Sequence, residues 1–419
     1  MTEFYDELEH RDPALRETQL MAALPHQVAA ALRTPALAER LAGVDAATVN
    51  SREALVALPV TRKHELLARQ QAERAHDPFG GFSAIGWRSL RGGSGALRVF
   101  QSPGPIYEPE GRARDYWRMA RALWAAGFRA GDLLHNSFSY HLTPAGSMLE
   151  SGAHAIGCTV FPGGVGNTEL QLQAMTELKP DGYAGTPSFL RIALEKAAET
   201  GVSLPALKKA MVSGEAFPAA LRDWMRERGL EAYQSYATAD VGLIAYETAA
   251  REGLVLDEGV IVEIVRPGTG DPAPAGEVGE VVVTVLNADY PLVRFGTGDL
   301  SAFLPGPCPT GRTNARIKGW MGRADQTAKV RGMFVHPGQV AEVLKRFPEA
   351  SRARLVVSGE MANDQMLLKV ETPSREESLR QRLAEAIRDV TKLRGEVELC
   401  TPGSLPNDGK VIDDTRKLG

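Results

Sequence analysis

At 419 residues the chain is too long for a single compact core, and 43% hydrophobic with 24% charged residues is the composition of a folded globular enzyme, not of a disordered or fibrous chain. A formal net charge of −4, with arginines scattered among acids, argues against nucleic acid as a partner. Three widely spaced cysteines (Cys158, Cys308, Cys400) make neither a disulfide framework nor a zinc knuckle, and no apolar run approaches the roughly 20 residues of a membrane span.

Met1–Pro13 is acidic without an apolar core, so it does not read as a secretory signal, and the expectation is a cytoplasmic protein with no membrane partner. From Asp12 to about Arg74, Leu and Ala recur at three- and four-residue spacing through Leu15–Leu32, Leu37–Leu41 and His64–Arg74. That spacing predicts a helical lead-in packed on a larger sheet domain. After Pro78 a strand over 86–90 leads into the glycine-rich turn Arg91–Gly95, and 109–127 reads as a helix. Strands Gly131–Phe138, Thr159–Phe161, Gly182–Ala184 and Lys209–Val212 then alternate with helices Leu142–Ile156, Thr168–Leu178 and Pro187–Thr200. Alternation of this kind implies parallel strands joined by crossover helices.

From Val255 to Phe303 the pattern becomes strand-rich, with Val260–Val265, Glu280–Leu286 and Ser301–Leu304 separated by Gly/Pro turns, which reads as a mainly antiparallel subdomain. Beyond Gly322, helix His336–Phe347, strands Arg354–Val357 and Met366–Val370, helix Ser374–Leu393 and strand Val397–Leu399 predict a small α+β unit. Ser374 and Glu377 fit a capping box, and Leu379, Leu383, Ile387 and Val390 share one face of the last helix.

Six segments have residue types suited to nucleotide-dependent carboxylate activation. In Arg91-Gly-Gly-Ser-Gly95, glycine amides can approach phosphate oxygens and Ser94 can donate a hydroxyl; the same cluster alone is also an ordinary loop. His135–His141, continued through Glu150–His154 and Pro162–Glu169, offers aromatic and glycine-rich walls for a flat acid, or equally a core strand with polar ends. Met211-Val-Ser-Gly-Glu-Ala216 and Tyr233–Asp240 offer backbone edges for adenine, a ring at Tyr236 and a hard oxygen at Asp240 for Mg²⁺. In Tyr290–Leu300, Asp299 after a glycine turn is placed to accept two ribose hydroxyls, although a hairpin aspartate looks the same. Ile317–Gln326 with Lys329–Pro337, and the tail Gly403–Lys410, complete the set.

In this order the six segments resemble the adenylate-forming superfamily, and most closely the phenylacetate–coenzyme A ligases, from about Asp132 to Lys410. Pro162–Gln171, Leu292–Arg316 and Gly322–Pro337 carry the resemblance most specifically. It implies the adenylate-forming ligase fold: a large multi-layer α/β N-terminal domain (1–322) with parallel sheets and an antiparallel subdomain, then a small, mobile α+β domain (323–419). It implies phosphate contacts at Gly92, Gly93, Ser94 and Gly95, with Arg98 as the nearest cation, and adenine contacts at Ser213, Gly214, Glu215, Ala216 and Tyr236. Asp299 and Arg316 would meet the ribose, Arg323 and Asp325 would form the hinge, and Phe138, Tyr140 and Ala237 would line the acid pocket. Asp240 would help hold Mg²⁺, and Lys410 would bridge carboxylate and phosphate during adenylation.

The chain departs from the family in three places. Its phosphate loop has one hydroxyl and no lysine, Asp240 stands one methylene short of the family's glutamate, and of the Cys/His set that holds a structural zinc in some relatives only Cys308 remains, so no structural zinc is expected. The implied activity is an ATP-dependent, AMP-forming acid–CoA ligase for an aromatic carboxylate, with ATP/AMP, Mg²⁺ and CoA as cofactors. Two alternatives stay open: an adenylating enzyme with a non-CoA acceptor, and a non-catalytic nucleotide- or acid-binding paralogue. A homodimer is also left open.

Overall fold

The computed structural model of the protein describes residues 3–88, 95–266, 269–321, 324, 328–331, 333–335, 337–360, 363–406 and 410–416. The chain divides into two compact units, Met1–Met321 and Gly322–Gly419. No helix among the described residues is long and apolar enough to cross a membrane.

The first unit opens with helices α1 (Pro13–Ala31), α2 (Pro35–Arg40) and α3 (Arg52–Val56). Helix α1 begins where Asp12 Oδ1 accepts from the amides of Ala14 and Leu15 at 2.9 and 3.0 Å, with Pro13 pre-set at the first helical position. Leu20, Leu24 and Val28, each one turn apart, are buried in a core shared with Ile261, Val281, Val283 and Phe295. Strand β1 (Thr61–Arg62) runs directly into α4 (Lys63–Glu73), where Glu65 Oε2 accepts from the Arg62 amide at 2.8 Å.

A hairpin of β2 (Arg98–Ser102) and β3 (Ile106–Glu110) follows, and it corrects two expectations. The described part of 86–90, Gly86–Arg88, is not a strand; the extended segment is Arg98–Ser102. Residues 109–127 are not one helix either: Pro109 and Glu110 close β3, and α5 spans only Met119–Ala125. The reason is local. Arg118 turns the chain with a left-handed φ of 63°, and only beyond it do buried Met119, Ala120, Ala122 and Leu123 set a continuous helical face.

Strands and helices then alternate as β4 (Leu133–Asn136), α6 (Ala145–Ile156), β5 (Thr159–Pro162), α7 (Thr168–Leu178), β6 (Gly182–Gly185), α8 (Pro187–Glu199), β7 (Lys209–Val212), α9 (Ala219–Arg226) and β8 (Glu231–Thr238). The five strands are parallel, in the order β8-β7-β6-β4-β5. Next come β9 (Gly242–Glu247), β10 (Leu254–Leu256), β11 (Val260–Val265), β12 (Gly279–Val285), β13 (Phe295–Ser301), β14 (Phe303–Leu304) and β15 (Arg316–Ile317). β9, β10, β15 and β14 extend the parallel sheet antiparallel from β8, making nine strands in all, while β1-β13-β12-β11 form a second sheet. The valine-rich runs of β11 and β12 are buried along their whole length, as expected for strands covered on both faces. The glycine turn expected before Asp299 is instead strand β13. Gly296 packs against Glu280 where the pairing with β12 shifts register, and Asp299 projects from a strand, not from a hairpin tip.

The second unit contains β16 (Ala328–Val330), β17 (Met333–Val335), α10 (Pro337–Lys345), β18 (Arg352–Glu360), β19 (Asn363–Glu371), α11 (Glu377–Thr391), β20 (Glu396–Cys400) and β21 (Ile412–Asp414). A sheet of order β20-β19-β18-β21 buries Leu355, Val357, Leu368 and Val370 against Leu379, Leu383 and Ile387 of α11. The capping box expected at Ser374 does not form. Thr372 Oγ1 and Ser374 Oγ accept from the amides of Ser374 and Glu376, which holds the segment in consecutive turns, and α11 starts after Glu376 without a side-chain cap.

Candidate active site

The chain leaves β4 toward β5 on one side, whereas β6 returns to the other side of β4, so the connections reverse direction at the β4/β6 pair. In an open parallel sheet this reversal opens a crevice beyond the carboxyl ends of the strands. Three of the expected site segments lie there: Phe138 and Tyr140 after β4, Ser213–Ala216 after β7, and Tyr236–Ala237 at the end of β8. Close approach of the strand ends requires glycine at 185, because any Cβ there would collide with Tyr183 Oη and Ser137 Oγ. Ser213 is held by two bonds, its amide donating to Gly185 O at 3.2 Å and its hydroxyl to Ser235 O at 2.8 Å. Gly214 follows with φ +79°, and Glu215 Oε2 accepts from the Ser188 amide at 3.4 Å.

Tyr236 and Asp299 are brought together. Tyr236 Oη donates to Asp299 Oδ2 at 2.9 Å and also lies 3.1 Å from Thr297 Oγ1. Trp320 Nε1 donates to Asp299 Oδ1 at 3.0 Å, and the Asp299 amide donates to Thr297 Oγ1 at 3.1 Å. Asp299 is 7% exposed, and Tyr236 and Trp320 each hold one oxygen of this nearly buried carboxylate on β13. Hydrogen bonds to a charged acceptor contribute about 1.5–3 kcal/mol each.

Asp240, just beyond β8, is 3% exposed and pairs with Lys63 at the start of α4, Nζ to Oδ2 being 2.8 Å. Its Oδ1 is buried with no hydrogen-bond partner. Beside it, the Ser102 amide donates to Glu108 Oε2 at 3.2 Å, and the Ser102 hydroxyl bonds Oε1. Burial first, and then the neighbouring Asp240 carboxylate, push the Glu108 carboxyl up to about 8, against the pull of the Lys63 ammonium. At neutral pH Glu108 therefore keeps its proton beside the Lys63–Asp240 ion pair.

A cavity of about 290 Å³ is lined by Arg98, Phe100, Tyr140, Ser147, Glu150 and Pro162. Arg98 Nη1 donates to Glu110 Oε2 at 3.0 Å and to Ser147 Oγ at 3.1 Å, and half of its side chain remains exposed. Tyr140 faces this cavity, whereas Phe138 is buried in the core formed by Leu134, Met148 and Leu243, with Ala237 packed against the same core. Arg316 is not brought to Asp299. It donates to the carbonyls of Glu252, Pro305 and Gly306 and walls a separate cavity of about 440 Å³ with Lys318.

Lys410 is exposed, with Nζ 3.0 Å from Asp413 Oδ1. Gly95 has φ +118°; Gly92, Gly93, Ser94, Arg323 and Asp325 lie outside the described residues. Cys308 Sγ sits 3.1 Å from Thr310 Oγ1 and 3.8 Å from Thr248 Oγ1, and among the described residues no group of three or more His, Cys, Asp or Glu side chains is arranged to hold a metal. Lys63, Glu108 and Trp320 were not singled out from sequence. Glu108 lies between the glycine-rich segment and the expected helix 109–127, where no element is expected, and nothing local marks Lys63, whose partner Asp240 is 177 residues away.

The family described as AMP-binding enzyme matches residues 118–285, and that described as AMP-binding enzyme C-terminal domain matches residues 332–415. A phenylacetate–coenzyme A ligase from Thermus thermophilus is 32% identical over 416 residues, covering 90% of each chain. One from Aromatoleum evansii is 31% identical over 311 residues, covering 70% of each. Among solved structures, a 2-hydroxyisobutyryl-CoA ligase in complex with 2-HIB-AMP and CoA shares the fold, with a TM-score of 0.81 at 23% identity over 100% of this chain and 93% of its own. The strand-end crevice, the buried Tyr236–Asp299 pair and these relationships converge: the chain belongs to the phenylacetate–coenzyme A ligase family of AMP-binding enzymes.

Proposed function

We infer that the protein is an ATP-dependent, AMP-forming acid–CoA ligase acting on an aromatic carboxylate. The observation that carries this reading is the Tyr236–Asp299 pair at the carboxyl ends of the parallel strands, in a chain of this family. There a ring edge and a fixed carboxylate suit adenine and ribose, and the Ser213–Ala216 backbone lies one strand away. The acid carboxylate attacks the α-phosphorus of ATP, pyrophosphate leaves, and a thiol then takes the acyl group from AMP; no enzyme nucleophile is needed. Lys410 is assigned the positive charge that offsets the adenylation step.

Asp240 is the residue that would hold Mg²⁺, because Oδ1 is a buried acceptor without a partner while Lys63 occupies Oδ2. The ion, when bound, supplies neutralising charge for the phosphates. Lys63 fixes Asp240, and a protonated Glu108 spares the pair a second negative charge. The acceptor is tested by AMP release with one acid, with and without CoA. Stoichiometric thioester only when CoA is present supports the reading; steady AMP release that ignores CoA favours a different acceptor.

A further inference from the structure

The cavity beside Tyr140 has a wall unlike that of a plain aryl pocket. Tyr140 Oη has its proton committed: it donates to Glu150 Oε2 at 2.8 Å and accepts from Asn136 Nδ2 at 2.8 Å. Glu150 Oε1 carries no hydrogen bond among the described residues. Across the same cavity, among the described residues, only Nη1 of Arg98 is used, by Glu110 and Ser147, which leaves the donors on Nε and Nη2. Phe100 and Pro162 supply the apolar remainder. The wall thus offers one acceptor with negative charge and one set of donors whose charge Glu110 already offsets.

A group that both donates and accepts uses both halves of that wall, and a hydroxyl is the smallest such group. A second carboxylate would meet Glu150 with like charge, and a bare ring would leave both polar groups desolvated without partners. The volume of about 290 Å³ exceeds the ~150 Å³ in which an apolar cavity takes benzene, so a substituted ring fits. Tyr140 follows β4, which stands two strand spacings, roughly 10 Å, from β7, about the reach of a ring with a short acid arm.

We propose that this cavity receives the far end of the acid substrate and that Glu150, with Arg98, selects a hydroxyl there, so that hydroxyaryl acids are preferred over their unsubstituted parents. The proposal rests on the acid–CoA ligase reading and names its substrate class. Sites that hydrogen-bond a substrate hydroxyl can reject the analogue lacking it by 10⁴-fold or more when fully dry; with Arg98 half-exposed, a preference of about 10- to 100-fold is expected.

The experiment compares kcat/KM for pyrophosphate exchange with phenylacetate and para-hydroxyphenylacetate, in the wild-type protein and in Glu150→Gln and Glu150→Leu. Calorimetric titration of the same two acids without ATP runs alongside. Wild-type preference for the hydroxy acid, reduced by Gln and reversed by Leu, supports the proposal. Equal or greater use of phenylacetate by the wild type, or equal losses for both acids in Glu150→Leu, overturns it. Exchange with neither acid contradicts the ligase reading instead, and calorimetry then decides on its own: tighter hydroxy-acid binding that Glu150→Leu abolishes keeps the assignment, and its absence ends it.

Discussion

The buried Glu108 carboxyl makes a stability prediction whose sign can be worked out. Glu108 titrates near 8 in the folded chain, against an ordinary value of 4.5, because burial and the adjacent Asp240 disfavour its ionised form. Between those two values the folded protein holds a proton that the unfolded chain has released. Stability contributed at this site is therefore greatest at low pH, falls as pH rises from about 4.5, and levels off above about 8. At about 1.4 kcal/mol per unit the gap sets an upper bound of roughly 5 kcal/mol. Sharing of charge with Asp240 and Lys63 lowers this to a few kcal/mol. Glu108→Gln keeps the shape and the acceptor for Ser102 but cannot ionise. It should match the wild type within about 1 kcal/mol at pH 5 and exceed it by about 2–4 kcal/mol at pH 9. All five tryptophans, Trp87, Trp117, Trp124, Trp224 and Trp320, lie in the unit Met1–Met321, so urea unfolding followed by tryptophan fluorescence reads the correct unit. A difference between variant and wild type that stays constant from pH 5 to 9 would refute the reasoning.

Two substitutions probe the chemistry more directly. Lys410→Ala should slow pyrophosphate exchange by a hundred- to a thousandfold, the loss expected for a preorganised charge of about 3–4 kcal/mol. It should leave the urea midpoint unchanged, since its ion pair with Asp413 is exposed; unaltered exchange would remove Lys410 from the mechanism. Trp320→Phe deletes the indole donor to Asp299 Oδ1 and should raise the KM for ATP by about 10- to 100-fold, with a smaller effect on the acid's KM. An equal rise in both would show that Trp320 only supports the fold.

Where local pattern and tertiary environment agree, the sequence was legible. Thr168–Leu178, Lys209–Val212 and Val260–Val265 are the elements their residues predict, because residue pattern and burial point one way. Legibility fails where a residue's partner is remote. Pro109 and Glu110 read as a helix start, yet they pair with Val99 and Arg98 across a hairpin. The glycines before Asp299 suggest a turn, but they serve a register shift against β12. Tyr236 and Asp299 were each visible in their own segments; their direct bond was not, since it depends on how two separate sheets meet. Lys63, 177 residues from Asp240, shows the same limit. Arg316 shows the converse: its place in the motif suggested ribose, whereas its guanidinium bonds the carbonyls of Glu252, Pro305 and Gly306 and the Glu252 carboxylate.

Adenylation of a carboxylic acid in the crevice beyond β4, β7 and β8 is measured, without reference to the acceptor, by acid-dependent exchange of labelled pyrophosphate into ATP. Exchange should require both an aromatic acid and ATP, need no CoA, and be abolished in Asp299→Ala while the protein stays folded. Nucleotide binding at ordinary affinity with no exchange for any acid of an aromatic and aliphatic panel would contradict it, and would leave a binding protein built on a ligase fold.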